Sequence, residues 1–127
     1  MEVLLVDDSA VTRAVLSQAL HQSSRSAYNL RFANDGEQAK SQLDGVELVI
    51  TDWMMPNLDG IEFTRWMRAD ERYATLPVIM VTSGDQTAEN QAAALEAGVD
   101  LFIEKSPSPE AIAEAITRAI TARGSDA

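Results

Sequence analysis

Leu48-Val49-Ile50-Thr51-Asp52-Trp53-Met54-Met55-Pro56-Asn57-Leu58-Asp59-Gly60-Ile61-Glu62 contains a strand, a loop and the opening of a helix. Leu48–Thr51 is apolar and β-branched without alternation, the pattern of a strand covered on both faces. Asp59-Gly60-Ile61-Glu62 has the form of a capping box, in which the two acids satisfy the first free N–H groups of a helix. Phe63, Trp66 and Met67 then fall on one helical face. A buried strand followed at once by an amphipathic helix is half of a βαβ unit.

The unit recurs along the chain. Val3–Val6 is a candidate strand, followed from Ser9 to Gln22 by a helical pattern carrying Val11, Val15, Leu16, Ala19 and Leu20. Leu30–Ala33 is a weaker strand, and Asn34-Asp35-Gly36 turns the chain into a short helix over Glu37–Leu43. After the central unit, Val78–Thr82 is a strand reached through Pro77. Gln86–Ala97 is helical and stops at Gly98, a natural C-cap. Leu101–Ile103 is the last strand. Ser108-Pro109 starts a helix with proline in its first turn and Ile112, Ile116 and Ile120 at four-residue spacing. Strict alternation of five strands with five helices predicts an α/β fold. Its sheet is parallel and doubly wound, with right-handed crossovers and helices on both faces. Only Gly124–Ala127 reads as a loose tail.

Composition excludes several classes of chemistry. A chain of 127 residues, 46% hydrophobic and 24% charged, is the size and make-up of one ordinary folded domain. No apolar run exceeds four residues, which excludes a helical membrane span, and the N-terminus carries no basic region of a secretory signal. There is no cysteine, hence no disulfide, thiolate nucleophile or zinc ribbon. The single histidine, His21, leaves no His-based metal site or Ser-His triad, and nothing pairs it with a second ligand. A net charge of −10 argues against direct DNA binding and against anionic membrane. The expectation is a cytoplasmic, acidic protein whose chemistry rests on carboxylates, hydroxyls and a few cations.

In such a sheet, ligands bind beyond the carboxyl ends of the strands, where strand order reverses. The first strand ends in Asp7-Asp8, the third in Asp52, the fourth in Thr82 and the fifth in Glu104-Lys105. With strand order 2-1-3-4-5, Asp7, Asp8 and Asp52 converge in one cleft, with Thr82 and Lys105 reaching in. Two carboxylates about 5 Å apart repel by roughly 3 kcal/mol at an effective dielectric near 20, and here there are three. At least one should hold its proton unusually tightly unless a hard cation such as Mg²⁺ relieves the repulsion. A hydroxyl and an ammonium beside a carboxylate suit a tetrahedral anion, which points to magnesium-assisted phosphoryl chemistry at Asp52. Any one of these residues has a plainer reading. A strand-terminal Asp often caps a helix, a Thr is an ordinary strand residue, and a Lys is a solvated end. Their coincidence at the same end of four strands is what the plain readings fail to explain.

The residues that carry this cluster resemble a known family, the receiver domain of two-component response regulators. The resemblance rests on Leu5-Val6-Asp7-Asp8-Ser9, on Asp52-Trp53-Met54-Met55-Pro56-Asn57-Leu58-Asp59-Gly60, on Val81-Thr82-Ser83 and on Ile103-Glu104-Lys105. It spans Val3 to about Arg123, so that residues 1–123 form the domain and 124–127 a short tail. It implies a flavodoxin-like fold and a phosphoacceptor role for Asp52, supplied by a sensor histidine kinase or a histidine phosphotransfer protein. By the same resemblance Asp7, Asp8 and Asp52 hold Mg²⁺ together with the backbone carbonyl of Met54. Thr82 is the switch hydroxyl, Phe102 the switch aromatic, and Lys105 pairs with the phosphoryl oxygens. The resemblance further implies that the surface of the fourth helix, fifth strand and fifth helix changes to regulate a downstream partner protein. A phosphorylation-dependent homodimer is compatible with it. Such a protein is a regulator rather than an enzyme in the usual sense.

Three departures from the family pattern stand out. Ser106 follows Lys105 where the family usually has proline, with Pro107 one residue later, so the Lys105–Ser106 bond is either trans or held cis by its surroundings. Phe102 has no hydroxyl, so a switch signal there is one of packing. Met54 and Gly84, at positions that tune dephosphorylation in the family, have no side chain able to position a water, which predicts slow loss of the phosphoryl group. The fourth helix carries a single large apolar residue, Leu95, among alanines. It is either a low-stability segment or a helix packed close to the sheet by those alanines. Trp53 reads equally as a partner-binding aromatic or as packing, and Trp66 and Phe63 as core.

Rival readings are weaker on specific residues. A magnesium-dependent phosphatase of the haloacid-dehalogenase kind needs a second Asp where Met54 stands. A flavodoxin needs a Ser/Thr/Gly-rich phosphate loop where Asp7-Asp8 would repel the phosphate. A degenerate receiver that only binds a partner should have lost an acid, Thr82 or Lys105, and none is lost. Whether the chain stands alone or belongs to a longer one is open.

Overall fold

The elements of the computed structural model are β1 (Glu2–Val6), α1 (Ala10–Gln22), β2 (Asn29–Ala33), α2 (Gly36–Lys40) and β3 (Leu48–Asp52), followed by α3 (Gly60–Ala69), β4 (Val78–Thr82), α4 (Ala88–Ala97), β5 (Leu101–Glu104) and α5 (Pro109–Gly124). It describes residues 1–23, 28–82 and 88–124. The start expected for the fourth helix at Gln86, together with Ser83 and Gly84, lies outside the described residues. All strand pairs are parallel, in the order β2-β1-β3-β4-β5. This is the expected α/β sheet, with its reversal between β1 and β3.

Alternate side chains of each strand face opposite sides, and the core accordingly divides in two. On one side Leu5, Ile50 and Ile79 pack with Leu16 and Leu20 of α1 and with Ile112 and Ile116 of α5. On the other, Leu4, Val49 and Met80 pack with Phe63 and Met67 of α3 and with Ala94 and Ala97 of α4. Each fully buried Leu, Ile or Phe contributes about 1.5–3 kcal/mol of hydrophobic stabilisation before entropy is counted.

Three local expectations need adjustment, and a fourth point left open is decided. First, Ser9 caps α1 rather than joining it, its side chain accepting from the Thr12 N–H at 3.2 Å. Second, Val11 is 74% exposed; at 100° per residue it lies about 110° from the middle of the Val15–Leu20 face. Third, α2 ends at Lys40 instead of Leu43. Ser41 N–H and its hydroxyl both turn back on the Gln38 carbonyl and tighten the last turn. Fourth, Leu95 is 53% exposed while Ala94 and Ala97 are 1% and 5% exposed, so α4 is packed by its alanines. Both Phe63 and Trp66 belong to the core side of α3. Trp66 is half-buried, stacked between Phe63 and Tyr73 and lying beneath the Lys40 ammonium. His21 is exposed.

An arginine-rich knot closes the end of the sheet remote from the Asp7–Asp52 cleft. Arg68 donates to the carbonyls of Tyr73, Leu76 and Gly98 and pairs with Asp100 at 3.3 Å. Arg123 of α5 grips the other oxygen of the same carboxylate at 2.6 Å. Burial first, and Arg123 second, lower the Arg68 pKa to about 10, with Asp100 opposing the shift. Gly98, at φ 113°, must be glycine twice over, since a Cβ there would also meet Arg68 side-chain atoms at 2.7 Å.

Candidate functional site

The parallel register brings the polar strand ends together. Val6 pairs with Thr51 and Asp52 with Val81, so Asp7 and Asp52 follow side by side at the ends of β1 and β3. One carboxylate oxygen each of Asp7, Asp8 and Asp52 lie within 4.8 Å of one another. Asp7 and Asp52 are 1% and 8% exposed, while Asp8 is open to solvent. Asp7 Oδ1 accepts from the Ser9 N–H and Asp52 Oδ1 from the Trp53 N–H, both at 2.8 Å. Asp7 Oδ2 is buried with no hydrogen-bond partner among the described residues.

Electrostatics at the cluster are unrelieved. Burial first, and the charge of Asp7 second, push the Asp52 pKa up to about 6 against the Trp53 N–H and Lys105. Burial also raises Asp7, opposed first by the Ser9 N–H and then by Lys105. Lys105 is exposed and acts on both acids through space; among the described residues no ion pair joins it to either. A buried orphan oxygen among three crowded carboxylates suits a hard, oxygen-seeking divalent cation, which would replace both the missing hydrogen bond and the missing charge.

Of the remaining predicted residues, Thr82 and Met54 share the cluster's end of the sheet, whereas Phe102 lies inside β5, paired with Met80. Thr82, half-buried, ends β4 opposite Glu104, and its hydroxyl reaches the Ile103 carbonyl at 3.4 Å. Phe102 is half-buried against the α3–α4 side of the core. Met54 is 68% exposed on the loop after Asp52, whereas Trp53 beside it packs on that core side. Among the described residues there is no cis peptide bond, so Lys105–Ser106 is trans, one of the two geometries left open. Sequence reasoning missed Arg13, which donates to the Asp7 carbonyl, and Asn57, whose amide bonds Asp35 at 2.6 Å. The Asn34-Asp35-Gly36 turn was legible, but its partner on another loop has no local signature.

The response regulator receiver domain family model matches residues 3–117. The chain belongs to this family. Among curated relatives of this receiver, the chemotaxis protein CheY1 of Helicobacter pylori is 36% identical over 118 residues, covering 90% of this chain and 92% of its own. A CheY homologue of Campylobacter jejuni is 34% identical over 117 residues, covering 90% and 88%. Among solved structures, Vibrio cholerae CheY4 superimposes with TM-score 0.80 at 28% identity, over 93% of this receiver and 97% of its own chain. The receiver domain of a sensor histidine kinase from Pseudomonas aeruginosa, with a magnesium ion coordinated in its active-site cleft, gives TM-score 0.80 at 26% identity and covers 94% and 96%. The chain is therefore a CheY-like receiver of two-component signalling, a class of regulator phosphorylated by histidine kinases and acting on downstream targets. Among the described residues no helix is long and apolar enough to cross a membrane.

Proposed function

We propose that residues 1–123 form a Mg²⁺-dependent phosphoacceptor switch acting in the cytoplasm, with Asp52 as the acceptor. The observation that carries the reading is the buried, unpartnered Asp7 Oδ2 within a three-carboxylate cluster at the strand-order reversal. Asp7, Asp8, Asp52 and the Met54 carbonyl would hold the cation, which when bound neutralises carboxylate charge and draws in phosphoryl oxygens. An Asp52 oxygen attacks the phosphorus of a phosphohistidine, the P–N bond breaks, and the departing imidazole takes up a proton. Lys105 meets the charge on the transferred group, and the Thr82 hydroxyl leaves the Ile103 carbonyl to donate to it.

Phe102 then repacks, and the surface of α4, β5 and α5 changes for a partner protein or a second copy of the chain. Two observations support that surface. A groove of about 520 Å³ runs along β5 and α5, lined by Phe102, Pro107, Ala111 and Arg118 among others. Leu95 of α4 is exposed. Met54 can hold no water by its side chain, so the phosphoryl group should be lost slowly; a lifetime of only seconds would contradict this.

Intact-mass measurement after incubation with phosphoramidate, with and without Mg²⁺, tests the reading. One added phosphoryl group that needs Mg²⁺ and is absent from Asp52→Ala is expected. No adduct, together with no Mg²⁺-dependent change in Trp53 fluorescence, would leave a phosphorylation-independent interaction module.

A further inference from the structure

The two loops assigned to the cation meet on a third segment that offers it no ligand. Arg13 donates at once to the Asp7 carbonyl and to Asn34 Oδ1, the latter at 2.7 Å, and the Asp7 N–H bonds the Ala33 carbonyl at 3.0 Å. Two residues along, the Gly36 N–H donates to the Leu58 carbonyl at 3.1 Å, and Asn57 Nδ2 to Asp35 Oδ2 at 2.6 Å. The turn is itself stiff: Asn34 N–H bonds Gln38 Oε1 at 2.6 Å and Gln38 N–H bonds Asp35 Oδ1 at 2.8 Å. A Cβ on Gly36 would lie 2.8 Å from the Leu58 carbonyl oxygen, so the contact is already closed. Asn57 sits at φ 68°, a conformation that glycine adopts freely and that Asn and Asp tolerate.

We propose that Asn34-Asp35-Gly36 is a brace that sets the spacing between the acidic-pair loop and the Met54 loop. Arg13 and Asn57 are positioning residues on its two sides, and the Asp35–Asn57 bond tunes cation affinity. This rests on the assignment of Asp7, Asp8, Asp52 and the Met54 carbonyl as the Mg²⁺ ligands. Groups that orient metal ligands typically affect affinity 10–100-fold on removal. An exposed hydrogen bond belongs at the low end of that range.

The test is calorimetric Mg²⁺ titration of wild type, Asn57→Gly, Asn57→Asp and the double variant Asp35→Asn/Asn57→Asp. Asn57→Gly removes the amide without straining the backbone. The double variant reverses the hydrogen bond at unchanged net charge, with the new amide oxygen at 35 still capping Gln38. Asn57→Gly should bind Mg²⁺ about 10-fold more weakly, and the double variant should return to within about 2-fold of wild type. The phosphorylation rate at saturating Mg²⁺ should be unchanged in both, so that only the Mg²⁺ requirement moves. Melting in EDTA establishes that each variant is folded; should Asn57→Asp fail to fold, Asn57→Gly decides alone. Wild-type affinity in Asn57→Gly, a double variant as weak as the single ones, or a wild type that binds no Mg²⁺ overturns the brace. A wild type that binds Mg²⁺ but accepts no phosphoryl group overturns the phosphoacceptor reading instead, and the binding comparison still judges the brace.

Discussion

Gly60 lies against Asp52 so closely that a Cβ on it would stand 2.2 Å from the Asp52 carbonyl oxygen. The Gly60 N–H also bonds the Trp53 carbonyl at 2.8 Å, so the first residue of α3 is fastened to the end of β3. Gly60→Ala must therefore displace either helix or strand. Overpacking of this kind costs about 1–3 kcal/mol, and urea denaturation should find a loss in that range, with weaker Mg²⁺ binding. Unchanged stability would mean that the two segments are less tightly joined than their geometry requires.

Asp52 itself should make stability depend on pH. Its carboxyl titrates at about 6 in the folded protein against 3.8 for an unperturbed aspartate. The folded state then binds more protons than the unfolded one between about pH 4 and pH 6. This stabilisation is fully present below the lower value and lost as pH rises through the upper one. In EDTA the wild type should lose roughly 1–3 kcal/mol across the window. Asp52→Asn should lose less and be the more stable protein at neutral pH. A smaller slope persists in it, because burial raises Asp7 in the same direction. Equal slopes in the two proteins would show that Asp52 titrates normally.

Thr82 contributes little to the resting fold. Its hydroxyl bond to Ile103 is long, at 3.4 Å, so Thr82→Val should cost under about 1 kcal/mol by thermal unfolding. The variant should still take up a phosphoryl group on Asp52 but show no phosphorylation-dependent change in the amide exchange of β5 and α5. An exchange response equal to wild type would remove Thr82 from the switch.

Asp100 behaves in the opposite way, with a structural role and none at the cleft. Its side chain is 7% exposed between Arg68 and Arg123. Asp100→Ala leaves two partly buried guanidiniums facing each other and removes the acceptor for the Val78 N–H at 2.9 Å. Loss of one member of a buried ionic cluster costs about 3–5 kcal/mol, read as a lower urea midpoint. Any of the variant still folded should bind Mg²⁺ as wild type does.

The parts of this molecule that repeat locally were legible in its sequence. Unbroken apolar strands, the Asp59 capping box and the Gly98 stop define the α/β alternation, and acids at strand ends place the cluster once strand order is known. Side-chain contacts between distant segments were not legible. Nothing periodic links Arg68 to Asp100 and Arg123, or Asp35 to Asn57, because one hydrogen bond between remote residues leaves no pattern along the chain. Apolar spacing misled at Val11, which has the right neighbours but the wrong angle. At α4 it left two readings open, and the structure takes the one in which alanines fill the close approach to the sheet while Leu95 faces solvent.

The knot at Asp100 also restricts how this sequence can drift. Arg123 can be substituted first, since Arg68 keeps both the carboxylate and the Gly98 carbonyl partnered. The carboxylate cannot go first, because it would strand two cations at once. Substitutions at 68, 100 and 123 should therefore accumulate in a fixed order, arginine before aspartate. Relatives lacking an acid at the position of Asp100 should already lack at least one of the two guanidiniums.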